Sequence, residues 1–256
     1  MTKLQALIFD VDGTLADTER DGHRIAFNQA FAEQGFDWHW SESLYGELLT
    51  IAGGKERIQY YLEQHHPDFL PPSEWSEFLA SLHKLKTKYY RKLLTSAAIP
   101  LRPGVKRLIK EAKEQGLRLA IATTSALPNA TALLEQTLDP DWFEVIAAGD
   151  IVPAKKPAPD VYNYVLDKMG LAANECLVFE DSFHGLQASI GAGLKTIVTV
   201  NNYTKDQDFS AACLVVNHLG ELDLPCEFLA GNIPSVTANY VDLALLDLLH
   251  SDSSSY

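Results

Sequence analysis

Residues 8–15 read IFDVDGTL. An apolar run covering Leu4–Phe9 stops at Asp10, and a second aspartate, Asp12, follows just before Gly13 and Thr14. Like charges repel, so two carboxylates at the end of a buried strand call for a shared cation or a split into base and acid. Side chains at i and i+2 point the same way while the chain stays extended, which would aim Asp10 and Asp12 together. The bland alternative is an Asp-Gly turn whose acids are simply solvated. The rest of the chain decides between them.

Working outward, continuous apolar runs recur at Leu117–Ala122, Phe143–Ala147, Cys176–Phe179 and Thr196–Val200, with a further one at Leu214–Val216. Runs of this kind suit parallel strands covered on both faces. Helical patterns separate them. Val105–Gln115 carries Val105, Leu108, Ile109 and Ala112 on one stripe before Gly116, and Asp160–Met169 carries Val161, Tyr164, Val165 and Met169 before Gly170. The alternation predicts an α/β fold with a doubly wound parallel sheet, whose ligands sit at the carboxyl ends of the strands.

One stretch breaks the alternation. From Thr18 onward the pattern is helix after helix, with Ile58, Tyr61, Leu62 and His65 on one stripe and Phe78, Leu82, Leu85, Tyr89 and Leu93 on another. Pro100, Pro103 and Gly104 punctuate the return to the sheet. The expected organisation is a core of residues 1–17 and 97–256 with a helical insertion at 18–96.

The second, third and fourth strands also lead into reactive residue types. LRLAIA ends in Thr123-Thr124-Ser125, the third strand is followed by Lys155-Lys156-Pro157, and CLVF ends in Glu180-Asp181. Singly these read as a helix cap, a solvated loop and a capping pair. Together, in order at one edge of one sheet, they read as a site.

Composition narrows the partners. In 256 residues, 21 Lys+Arg stand against 34 Asp+Glu, a formal charge of −13. That disfavours nucleic acid and membrane surfaces, which select a basic face, but leaves room for a small anion held by a few converging cations. Cys176, Cys213 and Cys226 are odd in number and show no metal-binding spacing, so they are expected to be buried reduced thiols. No apolar run approaches membrane-spanning length and LQALIF is too short for a signal peptide, so the expected location is cytoplasmic. Nothing demands more than a monomer, Ser251–Tyr256 is expected to be a frayed tail, and residues 204–231 suggest no function.

Asp-x-Asp-Gly-Thr followed by the threonine, lysine-proline and acidic-pair motifs resembles the haloacid dehalogenase-like phosphohydrolases along the whole chain. The resemblance implies a Rossmann-like core with an all-helical cap inserted after the first strand. It also implies phosphoryl transfer through an aspartyl-phosphate, which splits the barrier of a very slow hydrolysis. Asp10 is then the nucleophile and Asp12 the general acid and base. Mg²⁺ suits the hard oxygens of Asp10, the Asp12 backbone carbonyl, Asp181 and, through water, Glu180. Thr123 would bind phosphoryl oxygens, with Thr124 also among the substrate contacts. Lys156 would balance the negative charge, and is preferred to Lys155 because the family's lysine directly precedes proline.

Within the insertion, GGKERI sets Gly53 and Gly54 before Lys55 and Arg57 at a helix start, where backbone N–H groups, dipole and cations make an anion site. DTERDGHRIAFN, GGKERI, LHKLKTKYY, TTS…N and KKPAPDVY resemble the CbbY-type branch, close to β-phosphoglucomutase, whose members are xylulose-1,5-bisphosphate phosphatases clearing a Rubisco-inhibiting side product. That resemblance implies substrate contacts from Glu19, His23, Lys55, Arg57, Lys86, Ser125 and Asn129. Of Lys84, Lys86 and Lys88, two are expected to be plain solvated charges. The alternatives are a sugar phosphomutase, which shares Asp10 and Asp12, and an aspartate-phosphorylated signalling module, which needs no acid such as Asp12.

Overall fold

The computed structural model describes residues 3–51, 53–96, 98–149, 151–231 and 239–252. The chain divides into two compact units, Thr18–Ile99 and a core of Met1–Asp17 with Pro100–Tyr256.

The Thr18–Ile99 unit is helical among its described residues. A π-helical turn, Thr18–His23, runs straight into α1 (Arg24–Glu33), followed by α2 (Glu42–Leu48), α3 (Gly54–His65) and α4 (Trp75–Thr95). Ser41 caps α2 by accepting the Leu44 N–H at 3.2 Å. Aromatic residues fill the interior: Phe27, Phe31, Trp40 and Tyr45 are wholly buried, with Phe27 and Trp40 rings 4.5 Å apart. The buried stripe of α4 differs from the expected one. It steps by fours through Phe78, Leu82, Lys86, Tyr90 and Leu94, leaving Leu85, Tyr89 and Leu93 half-buried. The neighbouring register offers the same tyrosine and leucine types but Leu85 where the structure buries Lys86, and the pattern had no reason to put a lysine in a core stripe. On α3, Ile58, Tyr61 and Leu62 are buried as expected, but His65 is exposed.

In the core, β1 (Ala6–Phe9), β2 (Arg118–Thr123), β3 (Val145–Ala148), β4 (Cys176–Glu180), β5 (Lys195–Thr199), β6 (Leu214–Val216) and β7 (Phe228–Gly231) form one sheet in the order β3-β2-β1-β4-β5-β6-β7. The first six are parallel and β7 pairs antiparallel with β6. A short antiparallel edge strand carries little pattern, and β7 has no counterpart among the expected strands. Five α-helices and two short 3₁₀ turns, Pro140–Trp142 and Ala173–Glu175, complete the described core: α5 (Val105–Glu114), α6 (Leu127–Thr137), α7 (Asp160–Met169), α8 (Phe183–Gly191) and α9 (Leu243–Ser251). Val161, Tyr162 and Val165 of α7 pack on Ala6, Ile8, Ala120 and Ala122, which alternate along one sheet face. The alternate residues Leu7 and Phe9 are also fully buried, and α5 and α9 pack together against β2 and β4. Both faces are therefore covered, as the unbroken apolar strands require.

Three expectations change. Tyr162, not Tyr164, is the wholly buried tyrosine of α7. Ser251 closes α9, while residues 253–256 of the expected tail lie outside the described residues. All three cysteines are free, but Cys213 is only half-buried. Among the described residues no helix is long and apolar enough to cross a membrane.

Candidate active site

The strand order reverses beside β1, whose neighbours are β2 and β4. Crevices at such a switch point hold the ligands of doubly wound sheets. Asp10 follows β1 directly, and its N–H donates to Phe179 O of β4 at 3.0 Å, so the extended pairing continues one residue past the strand. Thr123 ends β2, Glu180 ends β4, and Asp181 comes next. Asp10, Thr123, Glu180 and Asp181 are all buried. The geometry thus brings the ends of three strands to one spot.

Lys156 holds this cluster together. Its ammonium donates to Asp10 Oδ1 at 2.7 Å, to Glu180 Oε1 at 2.6 Å and to Ala122 O at 2.8 Å. Lys155 is exposed, and of the two it is Lys156 that donates to Asp10. Asp12 is half-exposed and is bridged to Ala16. The Thr123 hydroxyl oxygen accepts the Ser125 N–H at 3.0 Å, which anchors the turn after β2. Thr124 is exposed and Asn129 lies half-buried on α6.

The charges do not balance. The Lys156 ammonium serves Asp10 and Glu180, and Arg102, shared with Asp17, also acts on Asp181; the three carboxylates offer oxygens, one from each, within 4.8 Å of one another. Asp10 is pushed up to about 8: burial raises it most, Lys156 pulls it down, and Glu180 and Asp12 add to the rise. Asp181 is likewise raised well above the usual carboxylate range by burial, then by Asp10 and Glu180. Burial works against the Lys156 ammonium, but its two carboxylate partners outweigh that and hold it charged. A divalent cation relieves the surplus negative charge, and hard carboxylate oxygens fit magnesium. Asp10, Glu180 and Asp181 form a magnesium site.

Sequence reading missed three supporting residues. Tyr162 donates its hydroxyl to the Glu180 oxygen that Lys156 also holds, and its ring lies 5.1 Å from the Lys156 ammonium. Burial, then Glu180, raises Tyr162 well above its ordinary value, so it stays a donor. Asn201 donates its amide to Asp181 Oδ2 at 2.7 Å. Arg102, buried, donates to backbone carbonyls of Gly13, Thr199, Val200 and Asn217 and lies 3.4 Å from Asp17. It thereby ties the loop after β1 to the ends of β5 and β6. Only Tyr162 left a signal, as the tyrosine of KKPAPDVY. Gly13 explains its own identity: φ is +90°, and a Cβ there would collide with the Asp181 carboxylate.

Within the helical unit, the expected cap residues fall into two groups. Tyr45 donates to Glu19 Oε2 at 2.6 Å and accepts from Arg57 at 3.0 Å. Arg57 also donates to Leu48 O and Ile51 O, so three of its five N–H bonds are directed inward and not at an outside anion. In the second group, Lys86 Nζ lies 2.6 Å from His23 Nδ1, and His23 stacks on Tyr90 with centroids 3.8 Å apart. Lys84 and Lys88 are exposed, while Lys86 is buried. Gly53 precedes α3 and Lys55 is exposed in its first turn. A Cβ on Gly54 would strike His83, so a packing reason also holds the glycine there. Burial lowers His83, and nearby Lys86 and Lys55 lower it further. Lys55 and Lys86 thus bring positive charge to the start of α3, while the Glu56 carboxylate, lying against Gly53, opposes them there.

Comparison with known proteins agrees with this chemistry. The haloacid dehalogenase-like hydrolase family matches residues 4–193. The plasmid-borne protein CbbY of Cupriavidus necator is 46% identical over 250 residues, covering 96% of this chain and 97% of that protein. Protein CbbY of Rhodobacter capsulatus is 50% identical over 213 residues, 82% of this chain and 91% of that one. Crystal structures of CbbY from Rhodobacter sphaeroides superpose with a TM-score of 0.70 at 43% identity, covering 86% of this chain and 96% of theirs. One contains phosphate, and another, an aspartate-to-asparagine variant, contains xylulose-(1,5)bisphosphate.

Proposed function

The chain belongs to the haloacid dehalogenase-like hydrolases, and we propose that it hydrolyses xylulose 1,5-bisphosphate to xylulose 5-phosphate and phosphate by way of an aspartyl-phosphate. The observation that carries the reading is the buried Asp10 carboxylate at the switch point, with Lys156 2.7 Å away and Glu180 and Asp181 beside it. The similarity to the CbbY proteins, one of which was crystallised with this bisphosphate, supports the substrate.

In this reading an Asp10 carboxylate oxygen attacks the phosphorus and the bond from phosphorus to the sugar oxygen breaks. Asp12 gives its proton to that departing oxygen, then takes one from water as the water attacks the phosphoenzyme, which frees Asp10 and phosphate. Lys156 keeps the nucleophile oriented, and Thr123 donates to a phosphoryl oxygen. Asp10, the Asp12 carbonyl, Asp181 and, through water, Glu180 would hold magnesium, which offsets the charge that nucleophile and phosphate share. Glu19, His23, Gly53, Gly54, Lys55, Lys86, Thr124, Ser125 and Asn129 are assigned to the sugar and its second phosphate, with Arg57 acting through Tyr45 and Glu19. We further infer a cytoplasmic monomer that does not bind nucleic acid, in keeping with three free thiols and a net charge of −13.

The test is magnesium-dependent phosphate release from xylulose 1,5-bisphosphate and from sugar monophosphates, with Asp10→Asn as the silent control. Preference for the bisphosphate with stoichiometric phosphate release is expected. Return of the phosphoryl group to sugar would make the protein a mutase, and equal use of monophosphates would overturn the substrate assignment.

A further inference from the structure

The fifth strand also delivers a side chain to the site. Asn201 follows two residues after β5, and its side chain is locked by its own loop. The Tyr203 N–H donates to Asn201 Oδ1 at 2.9 Å, and a backbone N–H can only donate, so the orientation of the amide is fixed. The Asn201 N–H donates to the Thr204 hydroxyl at 3.1 Å, while the Thr204 and Lys205 N–H groups both donate to Asn201 O. The amide NH₂ is thereby aimed at Asp181 Oδ2, 2.7 Å away. A Cβ on Gly13 would come within 2.9 Å of that nitrogen, so the loops after β1, β4 and β5 meet at this hydrogen bond.

The chemistry of the partner matters as much as its place. Asp181 stands among Asp10 and Glu180, which share the Lys156 ammonium, and the charge of Arg102, itself 3.4 Å from Asp17, also acts on it. A lysine or arginine in place of Asn201 would neutralise Asp181 and compete with a metal cation, and an acid there would repel it. A neutral amide donor favours the ionised form of the carboxylate without cancelling its charge. It also occupies one of the two oxygens, so Asp181 presents the other.

We propose that Asn201 is a positioning residue that fixes Asp181 as a one-oxygen ligand for the divalent cation. This rests on the reading of Asp181 as a metal ligand. Partners of this kind typically change metal affinity by roughly 10- to 100-fold when removed.

The experiment is calorimetric titration of the metal-free protein with Mg²⁺, and with Mn²⁺ as a tighter-binding probe, for the wild type, Asn201→Ala, Asn201→Ser and Asp181→Asn. Serine keeps a turn-forming side chain for the Tyr203 N–H but lacks the amide donor, so it guards against a loop that merely collapses. Circular dichroism and the thermal midpoint in chelator establish that each variant is folded. The expected result is metal binding weakened by about 10-fold or more in both Asn201 variants, and further weakened in Asp181→Asn. Wild-type affinity in folded Asn201→Ser, with binding lost in Asp181→Asn, would overturn the role of Asn201 alone. Wild-type affinity in Asp181→Asn would overturn the metal-site reading beneath it.

Discussion

The ammonium of Lys156 stands 2.7 Å from Asp10 Oδ1 with both side chains more than nine-tenths buried, and the same ammonium serves Glu180. Removing it leaves two enclosed carboxylates without their cation. Loss of one partner from a buried pair costs about 3–5 kcal/mol. Lys156→Met, close in volume, is expected to lose stability of that order in urea unfolding with chelator present. Magnesium is expected to restore part of the loss and little of the turnover. A variant as stable as the wild type without metal would contradict the charge accounting of the site.

The raised Asp10 carboxyl gives a pH dependence with a definite sign. Unfolded, an aspartate titrates near 3.9; folded and metal-free, Asp10 titrates at about 8. Between those values the folded protein holds a proton that the unfolded chain has released. Stability from this group is therefore complete below about pH 4 and lost as pH rises toward about 8. Asp181 shifts in the same direction. In chelator, the thermal midpoint of Asp10→Asn is expected to gain on the wild type steadily from pH 5 to pH 8, and magnesium is expected to close the gap. Parallel profiles for the two proteins in chelator would refute the shift.

Tyr162→Phe removes one hydroxyl and keeps the ring near Lys156. Glu180 then loses a donor while its ion pair with Lys156 remains. A hydrogen bond to a charged group contributes about 1.5–3 kcal/mol, so a stability loss in that range is expected. A fall of kcat larger than any change in KM should accompany it, because in the proposed reaction Glu180 and Lys156 act at the transferred phosphoryl group and not on the sugar. Steady-state kinetics with a single bisphosphate substrate decide the point; a pure KM effect would place Tyr162 elsewhere in the reaction.

What the sequence displayed, and what it hid, follows from the range of each interaction. Asp10, Thr123, Glu180 and Asp181 were legible because each sits at or just beyond an apolar run, and strand ends converge in a doubly wound sheet; Lys156 was legible through its place directly before Pro157 in the loop that follows the third strand. Arg102 and Asn201 were not. Arg102 bonds to carbonyl groups about a hundred residues away, which any residue can supply, and Asn201 looked like one more turn residue after β5. The insertion was legible as helices because strand patterns stop there. Its buried stripe on α4 was displaced because Leu85 outranks Lys86 on any hydrophobic scale, while the Tyr89/Tyr90 and Leu93/Leu94 pairs offer no contrast. The edge strand β7 and helix α9 lie beyond the repeating strand–helix pattern, so no periodic signal announced them.

That displaced lysine makes a prediction of its own. Lys86 interrupts an otherwise apolar and aromatic stripe, with its ammonium 4.8 Å from the Phe27 ring, 5.2 Å from the Tyr90 ring and 2.6 Å from His23 Nδ1. Burying an ammonium costs more than burying a thioether of similar length, so selection for stability alone would favour methionine here. Lys86→Met is therefore expected to keep or raise the thermal midpoint. If Lys86 serves the second phosphate, the same change removes a charge-assisted contact worth about 1.5–3 kcal/mol, so KM for the bisphosphate should rise about tenfold or more. Stability and substrate binding are then expected to move in opposite directions. A stabilised variant with an unchanged KM would show that the lysine serves something other than the substrate, and a destabilised one would show that its ring and histidine partners hold the helices together.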